Sequence, residues 1–352
     1  MFILNCEIII GGFNFSAVTE VTVKRSIHSF VDTANITIPA SAQLTTSGEL
    51  PTQSVTRTAM IFKEGDPVEI WLGYDGDLQL EFEGFVRRVN GATPCIIECE
   101  GYSWLLKRKN IHKVYPPTSL KQMLEELVQG TGITLSENIP DVEIRQVAFS
   151  HSNGTAVLDW IKNNLYLAVY FMGKELYAGL SYTELPERAI YVPGRVFKNG
   201  SIAPLDYEKV QTAVPYQLGW NVVKDDQLKF RKASDVKIRV KAVCFDEQNK
   251  PREKMAGDTD GAIRTIFVPD LRSDKELLAV AEAKANMLRY DGYEGKLTTF
   301  LQPFALPGFK TRLKDPTYKD REGTYLIEST EVKFGSGGGR RICEIGVKIS
   351  SK

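Results

Sequence analysis

Histidine is the commonest general base, and the chain holds three: His28, His112 and His151. None has an acid or a cysteine close by in sequence, so each reads as a strand-edge or loop residue rather than a proton shuttle or metal ligand. Cys95 and Cys99 stand four apart in a strand-like run, on one face but too far along the pleat to clip a metal, and small core residues are the simpler reading. Glu81 with Glu83, and Glu98 with Glu100, have the i, i+2 spacing that puts two carboxylates on one strand face, as a glycoside-cleaving acid and nucleophile would need. A solvated strand face has the same spacing. GDTDG (Gly257 to Gly261) evokes a calcium loop, but counting from Asp258 puts Ala262 at position five and Pro269 at position twelve, so the ligands run out and a turn is expected. GSGGGRR (Gly335 to Arg341) lacks the Gly-Lys-Ser/Thr ending of a phosphate cradle and lies between strands, as a hairpin tip does. No GxSxG occurs. LKRKN (Leu106 to Asn110) is basic without interleaved aromatics and reads as a solvated linker. The expectation is a chain with no catalytic, cofactor-binding or metal-binding residues.

The elements that would hold such residues are mostly strands. From Phe2 to Ile38 short runs rich in Val, Ile, Thr and Phe alternate with polar residues. Ser41 to Phe62 is a long polar excursion dominated at first by Ser, Thr, Gly and Pro. DPVEIWLGY places Val68, Ile70 and Leu72 on one face, and GYDGD supplies an Asp-Gly turn. LEFEGFVRRV and CIIECEGY follow. The period then changes. Leu120, Met123, Leu124, Leu127 and Val128 fall at helical spacing behind Thr118 and Ser119 as caps, Asn153 to Asn164 is a second helix, and LAVYFMGKELYAGLSY is a hairpin turning at Gly173-Lys174. After about Gly194 strands resume around one helix, Ser273 to Leu288, with Ser273 and Glu276 spaced as a capping box and Leu277, Ala281, Ala285 and Leu288 along one stripe.

The fold class expected is mainly β with an α+β part: two antiparallel β-barrels plus a small α+β domain. Boundaries fall at 1–108, first barrel with long loop 41–62; 109–190, peripheral α+β domain; and 191–352, second barrel with helix 273–288. A shared layout with differing spacings reads either as two copies of one barrel or as coincidence. Gly65 leads into VEIWL, Glu83-Gly84 into FVRRV and a turn into CIIECEG; Gly308 leads into KTRL, Glu322-Gly323 into TYLIESTEV and a turn into RICEIG.

Composition narrows the function classes. With 352 residues, 43% hydrophobic and 25% charged, the chain has material for about two to four packed domains and is neither disordered nor fibrous. Lys plus Arg equals Asp plus Glu at 44 each, so no global basic field recruits nucleic acid or an anionic membrane. Five scattered cysteines form no disulfide framework and suit a reduced, cytosolic product. The start, MFILNCEIIIGGFNF, lacks a cationic n-region and a small-residue cleavage site, and no stretch approaches the roughly 18–20 apolar residues of a membrane span.

Two regions carry a resemblance. GDPVEIWLGYDGDLQLEFEGFVRRVN and CIIECEGYSWLLKRK (Gly65 to Lys109) with the helix SLKQMLEEL form the first. GDTDGAIRTIF, the helix after it, LRYDGYEGKLTTFLQPFALPGFKTRLKD and REGTYLIESTEVKFGSGGGRRICEIGV form the second. Both resemble the baseplate hub proteins of contractile-tailed bacteriophages, the group of the late control protein D and the phage Mu tail hub, and are similar to the amino-terminal part of type VI secretion spike proteins. The resemblance implies two tail-tube-like barrels per chain and a homotrimer whose six barrels join a sixfold tail tube to a threefold central spike around a lumen. It implies a tail tube or tube-initiator protein, a separate spike protein and other baseplate proteins as partners, DNA only in transit, and no membrane contact or enzymatic activity. The chain ends just after its last strand, without a spike needle or a lysozyme-like insertion, in keeping with a separate spike. Assembly in the bacterial cytoplasm and residence in the virion tail baseplate would follow. Within Ser41 to Phe62, Leu50, Val55, Met60 and Phe62 are the expected subunit or ring contacts. A glycan-hydrolysing tail enzyme and a monomeric β-rich adhesin are the rivals from other classes.

Overall fold

The computed structural model describes residues 3–45, 53–144, 146–180, 194–198, 201–204, 213–246, 250–268 and 273–350. The dominant element is one long sheet. Its strands run, in spatial order, Phe13–Phe15, Leu4–Ile10, Pro67–Tyr74, Asp77–Asn90, Cys95–Glu100, Ser29–Ile38, Glu20–Ser26, Gly323–Gly335, Gly338–Ser350, Gly292–Thr299 and Val222–Arg231. Each neighbour along this path is antiparallel. The fold is therefore mainly β with an α+β part. Among the described residues the pairing closes no ring of hydrogen bonds; the two halves belong to a single sheet and join where Glu20–Ser26 pairs with Ser329 to Gly335.

Alternation explains the strands. In Glu20–Ser26, Val21, Val23 and Arg25 point inward and Glu20 and Lys24 outward, and period two puts one side of each strand in a core. The first half packs Ile8, Ile36, Ile70, Leu72, Phe82 and Ile97 together and takes in Leu301, Val332 and Phe334 from the second. The second has its own core around Tyr216, Leu297, Phe309, Tyr325, Ile327 and Cys343. The Asp-Gly turn is as expected: Asp75 and Gly76 have φ of 52° and 86°, the double positive φ that a two-residue hairpin of this hand requires. The GSGGGRR run is likewise a hairpin tip, with Gly335 opposite Gly338.

The proposed repeat has a backbone counterpart. Gly65 (φ 90°) donates to the Val86 carbonyl at 2.8 Å while the Val86 N–H donates to Asp66 O at 2.9 Å; Gly308 (φ 89°) donates to Ile327 O and Ile327 N–H to Phe309 O, both at 2.8 Å. A register shift follows each time, between Val86 and Arg88 and between Ile327 and Ser329. The same three-strand meander with the same bulge is built twice.

Four helices occur among the described residues. The first, α1 (Ser103–Arg108), was not expected; at six residues it is too short to declare a period. The second, α2 (Leu120–Val128), buries its predicted stripe and starts at a capping box of Ser119 and Gln122. The third, α3 (Gly154–Asn164), begins at Asn153, whose side chain accepts from Ala156 N–H at 3.1 Å. With Ala168–Met172 and Glu175–Gly179, these three helices enclose one core. The fourth, α4 (Asp274–Leu288), has the Ser273–Glu276 capping box. It covers a small sheet of Ile238–Phe245, Pro251–Gly257 and Ala262–Phe267, forming a satellite core rather than part of a barrel wall. The strand 194–198 extends the first half, pairing with Asp77 to Gln79, and the expected boundary at 190 lies outside the described residues.

Candidate functional site

The seam between the two halves is where the sequence's most costly residues collect. Arg341 is 0% exposed. Its guanidinium donates to both carboxylate oxygens of Glu81, at 2.7 and 3.1 Å, and to the carbonyls of Leu301 and Ala305, each at 2.9 Å. Glu81 belongs to the first half and Arg341 to the second, so this buried pair spans them. Glu81 is reached because the register slips between Ile70 and Trp71. Arg25 donates to the Glu81 carbonyl, and its Nε stands 3.8 Å from the Asp32 carboxylate, an ionic contact without a hydrogen bond. Burial pushes the Asp32 carboxyl up to about 7 against the opposing pull of Arg25; burial likewise lowers Arg25. Tyr74 completes the brace, donating to Gly339 O at 2.6 Å and accepting from Leu301 N–H at 3.2 Å, while Gln302 donates to Asp77 at 3.1 Å.

The carboxylates considered for glycan cleavage are all engaged. Glu81 holds Arg341, and Glu83 accepts from the Tyr102 hydroxyl. Glu98 accepts from Arg87 at 2.6 Å and from Arg88; hydrogen bonds from Arg88 and then Arg87 hold it below the usual carboxylate range. Glu100 accepts from Ser103 and Lys107, each at 2.6 Å. The solvated-face reading is corrected at Glu81 and Glu100, which are buried. The basic cluster is likewise no solvated linker. Arg108 pairs with Glu64, and Lys109 donates to the carbonyls of Glu126, Leu127 and Gln129, covering the negative end of α2.

Asp258 and Asp260 of the turn are taken by Arg289 and Lys237. His28 meets the Glu328 carboxylate at 3.0 Å. His112 and His151 face each other with ring centroids 4.9 Å apart. These neighbours lie across strands, where sequence distance does not reveal them. All five cysteines are free and buried, and burial pushes Cys6 and Cys343 up to about 11, which makes them poor nucleophiles.

The long excursion is a two-stranded hairpin, Ser41–Thr45 with Gln53–Arg57. Of the expected contact residues, Val55 and Met60 are 77% and 73% exposed. Phe62 turns inward and packs beside Phe13 and Phe15 in the chain's own core, and Leu50 lies outside the described residues. At the far end, the edge strand Val222–Arg231 has a strand neighbour on one side only among the described residues, apart from a single bridge from Leu218 to Val222, with Trp220 exposed just before it and Val223 exposed within it. Across the seam the sheet's outer face is polar, and a shallow hollow of about 390 Å³ there is lined by Lys24, Ser26, Lys296, Glu331 and Glu344.

The same fold occurs in solved structures of prophage and phage-type tail proteins and of a type VI secretion component. The 43 kDa tail protein of prophage MuSo2 from Shewanella oneidensis aligns over 97% of this chain and 98% of its own, at 12% identity and a TM-score of 0.56. The tail protein from Neisseria meningitidis MC58 aligns over 97% and 96%, at 11% identity and a TM-score of 0.58. An Escherichia coli component of the type VI secretion system, described as similar to bacteriophage T4 tail proteins gp27 and gp5, aligns over 97% and 76%, at 9% identity and 0.52. No protein-family model and no curated protein matches the chain.

Proposed function

We propose that the chain is a structural baseplate hub of a phage-type tail, acting as a homotrimer that joins the sixfold tail tube to the threefold central spike. One observation carries the reading: two copies of a single meander lie side by side in one sheet, so three chains would present six equivalent meanders to a tube and three equal faces to a spike. The whole-length likeness to prophage tail proteins supports it.

The same duplication suggests how the ring closes. Within the chain, Glu20–Ser26 pairs with the far part of the second meander, beyond its bulge. The strand that corresponds to it in the second half is Val222–Arg231, whose outer edge carries no strand among the described residues. Pairing of that edge with the residues beyond the first meander's bulge, Arg88 to Asn90 of the next chain, would repeat the internal seam between subunits. Such an interface is heterologous and closes only as a ring. Val55, exposed on the hairpin, and Met60, exposed on the 3-10 turn Thr58–Met60 that follows it, would then reach a neighbouring subunit or ring together with Leu50. The polar outer face, with Lys24 and Lys296 interspersed with Glu331 and Glu344, suits a channel wall. Mixed signs offer passing DNA no single-signed field to adhere to. The role is structural, with tube, spike and other baseplate proteins as partners, and assembly in the bacterial cytoplasm before residence in the virion tail.

Light scattering on the purified chain tests the reading. A mass near 118 kDa, three times 39.4 kDa, is expected, and deletion of Thr45 to Thr56 should return it to one chain with its circular dichroism intact. A single-chain mass across a concentration series rejects the self-assembling ring.

A further inference from the structure

A second pocket lies away from the seam, where the end of α3 meets the small three-stranded sheet. Its volume is about 320 Å³, and Glu143, Trp160, Asn163, Tyr166 and Phe245 line it. Three aromatic rings thus meet there, two from α3 and the turn that ends it and one from the small sheet. Two are braced from behind: Trp160 packs edge-on to Phe149 at 6.2 Å, and Phe245 against Phe267 at 6.0 Å. All three remain partly exposed.

Apart from Asn164, whose side chain donates to the Trp160 carbonyl at 2.9 Å, the polar side chains of this pocket are unspent. Among the described residues the Trp160 indole N–H, the Tyr166 hydroxyl, the Asn163 amide and the Glu143 carboxylate have no hydrogen-bond partner. Tyr166 is also held against its backbone preference. It follows the last turn of α3 with φ 55°, a position where glycine or asparagine is usual and where a bulky side chain is an outlier that persists only when its surroundings impose it.

The charge of the pocket selects its occupant. Among its described lining residues Glu143 is the one acid, and none is a lysine or arginine. Aromatic faces attract cations through their quadrupole, and a carboxylate beside them adds a charge-assisted partner. Guanidinium matches this combination better than ammonium, because it is planar, stacks on rings and binds a carboxylate with two parallel N–H groups. We propose that this pocket receives an arginine side chain of a neighbouring protein. That the neighbour is another tail component rests on the hub reading; the recognition itself does not.

The test uses the full chain labelled with 5-fluorotryptophan and followed by fluorine NMR. Four tryptophans give four resonances, and Trp160→Phe assigns the one concerned. The probe is N-acetylarginine amide. Titration should move the Trp160 resonance, saturating in the millimolar range, and leave those of Trp71, Trp104 and Trp220 in place. N-acetylcitrulline amide, the same shape without the charge, should bind about tenfold more weakly, as should arginine amide to Glu143→Gln, since loss of one ionic partner is worth about a factor of ten or more. Glu143 is exposed, so that variant keeps its fold. No movement of the Trp160 resonance overturns the proposal, as does an equal response to the citrulline probe. Movement with maltotriose but not with arginine amide also overturns it and makes the pocket a saccharide site. The measurement reads the same on one chain or three, so its failure is separate from that of the trimer.

Discussion

Arg341 and Glu81 are each nearly without solvent contact, and a pair so placed gains little net stability against an apolar substitute while being expensive to break on one side only. Glu81→Gln should therefore lower the unfolding free energy by about 3–5 kcal/mol, read from the urea midpoint. Glu81→Leu combined with Arg341→Met should recover most of that loss. A double variant as unstable as the single one would show that the two side chains do not act as a pair. The same reasoning changes what a loss of glycan turnover in Glu81→Gln would mean, since Arg341 left unpaired would unsettle the fold before any chemistry was probed. The sequence already held a sign of these charges. Arg25 stands in phase with Val21 and Val23, and Arg341 with Cys343 and Ile345, so a strict reading of alternation places both guanidinium groups inside. Their partners were not legible, because Glu81 enters through a register slip and lies 260 residues from Arg341.

The elements that sequence period specifies well are those whose stabilisation is local. Helices α2, α3 and α4 carry their caps and their buried stripes within a dozen or so residues, and the Asp-Gly turn carries its own conformational demand. Helix α1 escaped because its organisation comes from Glu100, which draws in Ser103 and Lys107 one and two turns on. The excursion at 41–62 escaped as a hairpin because its strands, SAQLT and QSVTR, are mostly polar and show no apolar alternation. The repeated glycines are the informative local signal, since Gly65 and Gly308 both adopt a backbone that other residues avoid. Space is open around a Cβ at Gly65, so Gly65→Ala isolates the conformational cost. It should destabilise by about 1–2 kcal/mol. Gly337→Ala, equally open but without the positive φ, should stay within about 0.5 kcal/mol of the parent. Equal midpoints for the two variants in urea would remove the strained turn from the account of the repeat.

The sequence reading treats the halves as separate barrels because hydrophobic period reports which face of a strand is buried and nothing about which strand lies beside it. The seam joins Val23 to Val332 in one ladder, and Leu301, Val332 and Phe334 complete the first half's core. A sheet whose halves share strands and core residues should unfold as one cooperative unit rather than domain by domain. The buried free thiols supply local probes of this, with Cys99 in the first core and Cys343 in the second. In pulsed thiol labelling across a urea series, read by mass spectrometry, the two should become reactive at the same denaturant concentration. Val23→Pro removes a backbone donor from the middle of the sheet, at a cost of about 3 kcal/mol. Although Val23 belongs to the first half, the variant should shift the labelling midpoint of Cys343 by as much as that of Cys99. If Cys343 keeps its parental midpoint while Cys99 moves, the halves are independent and the continuous sheet is no more than an adjacency. Joint movement would mean that one chain already contains, as a cooperative seam, the kind of contact by which the ring is proposed to close.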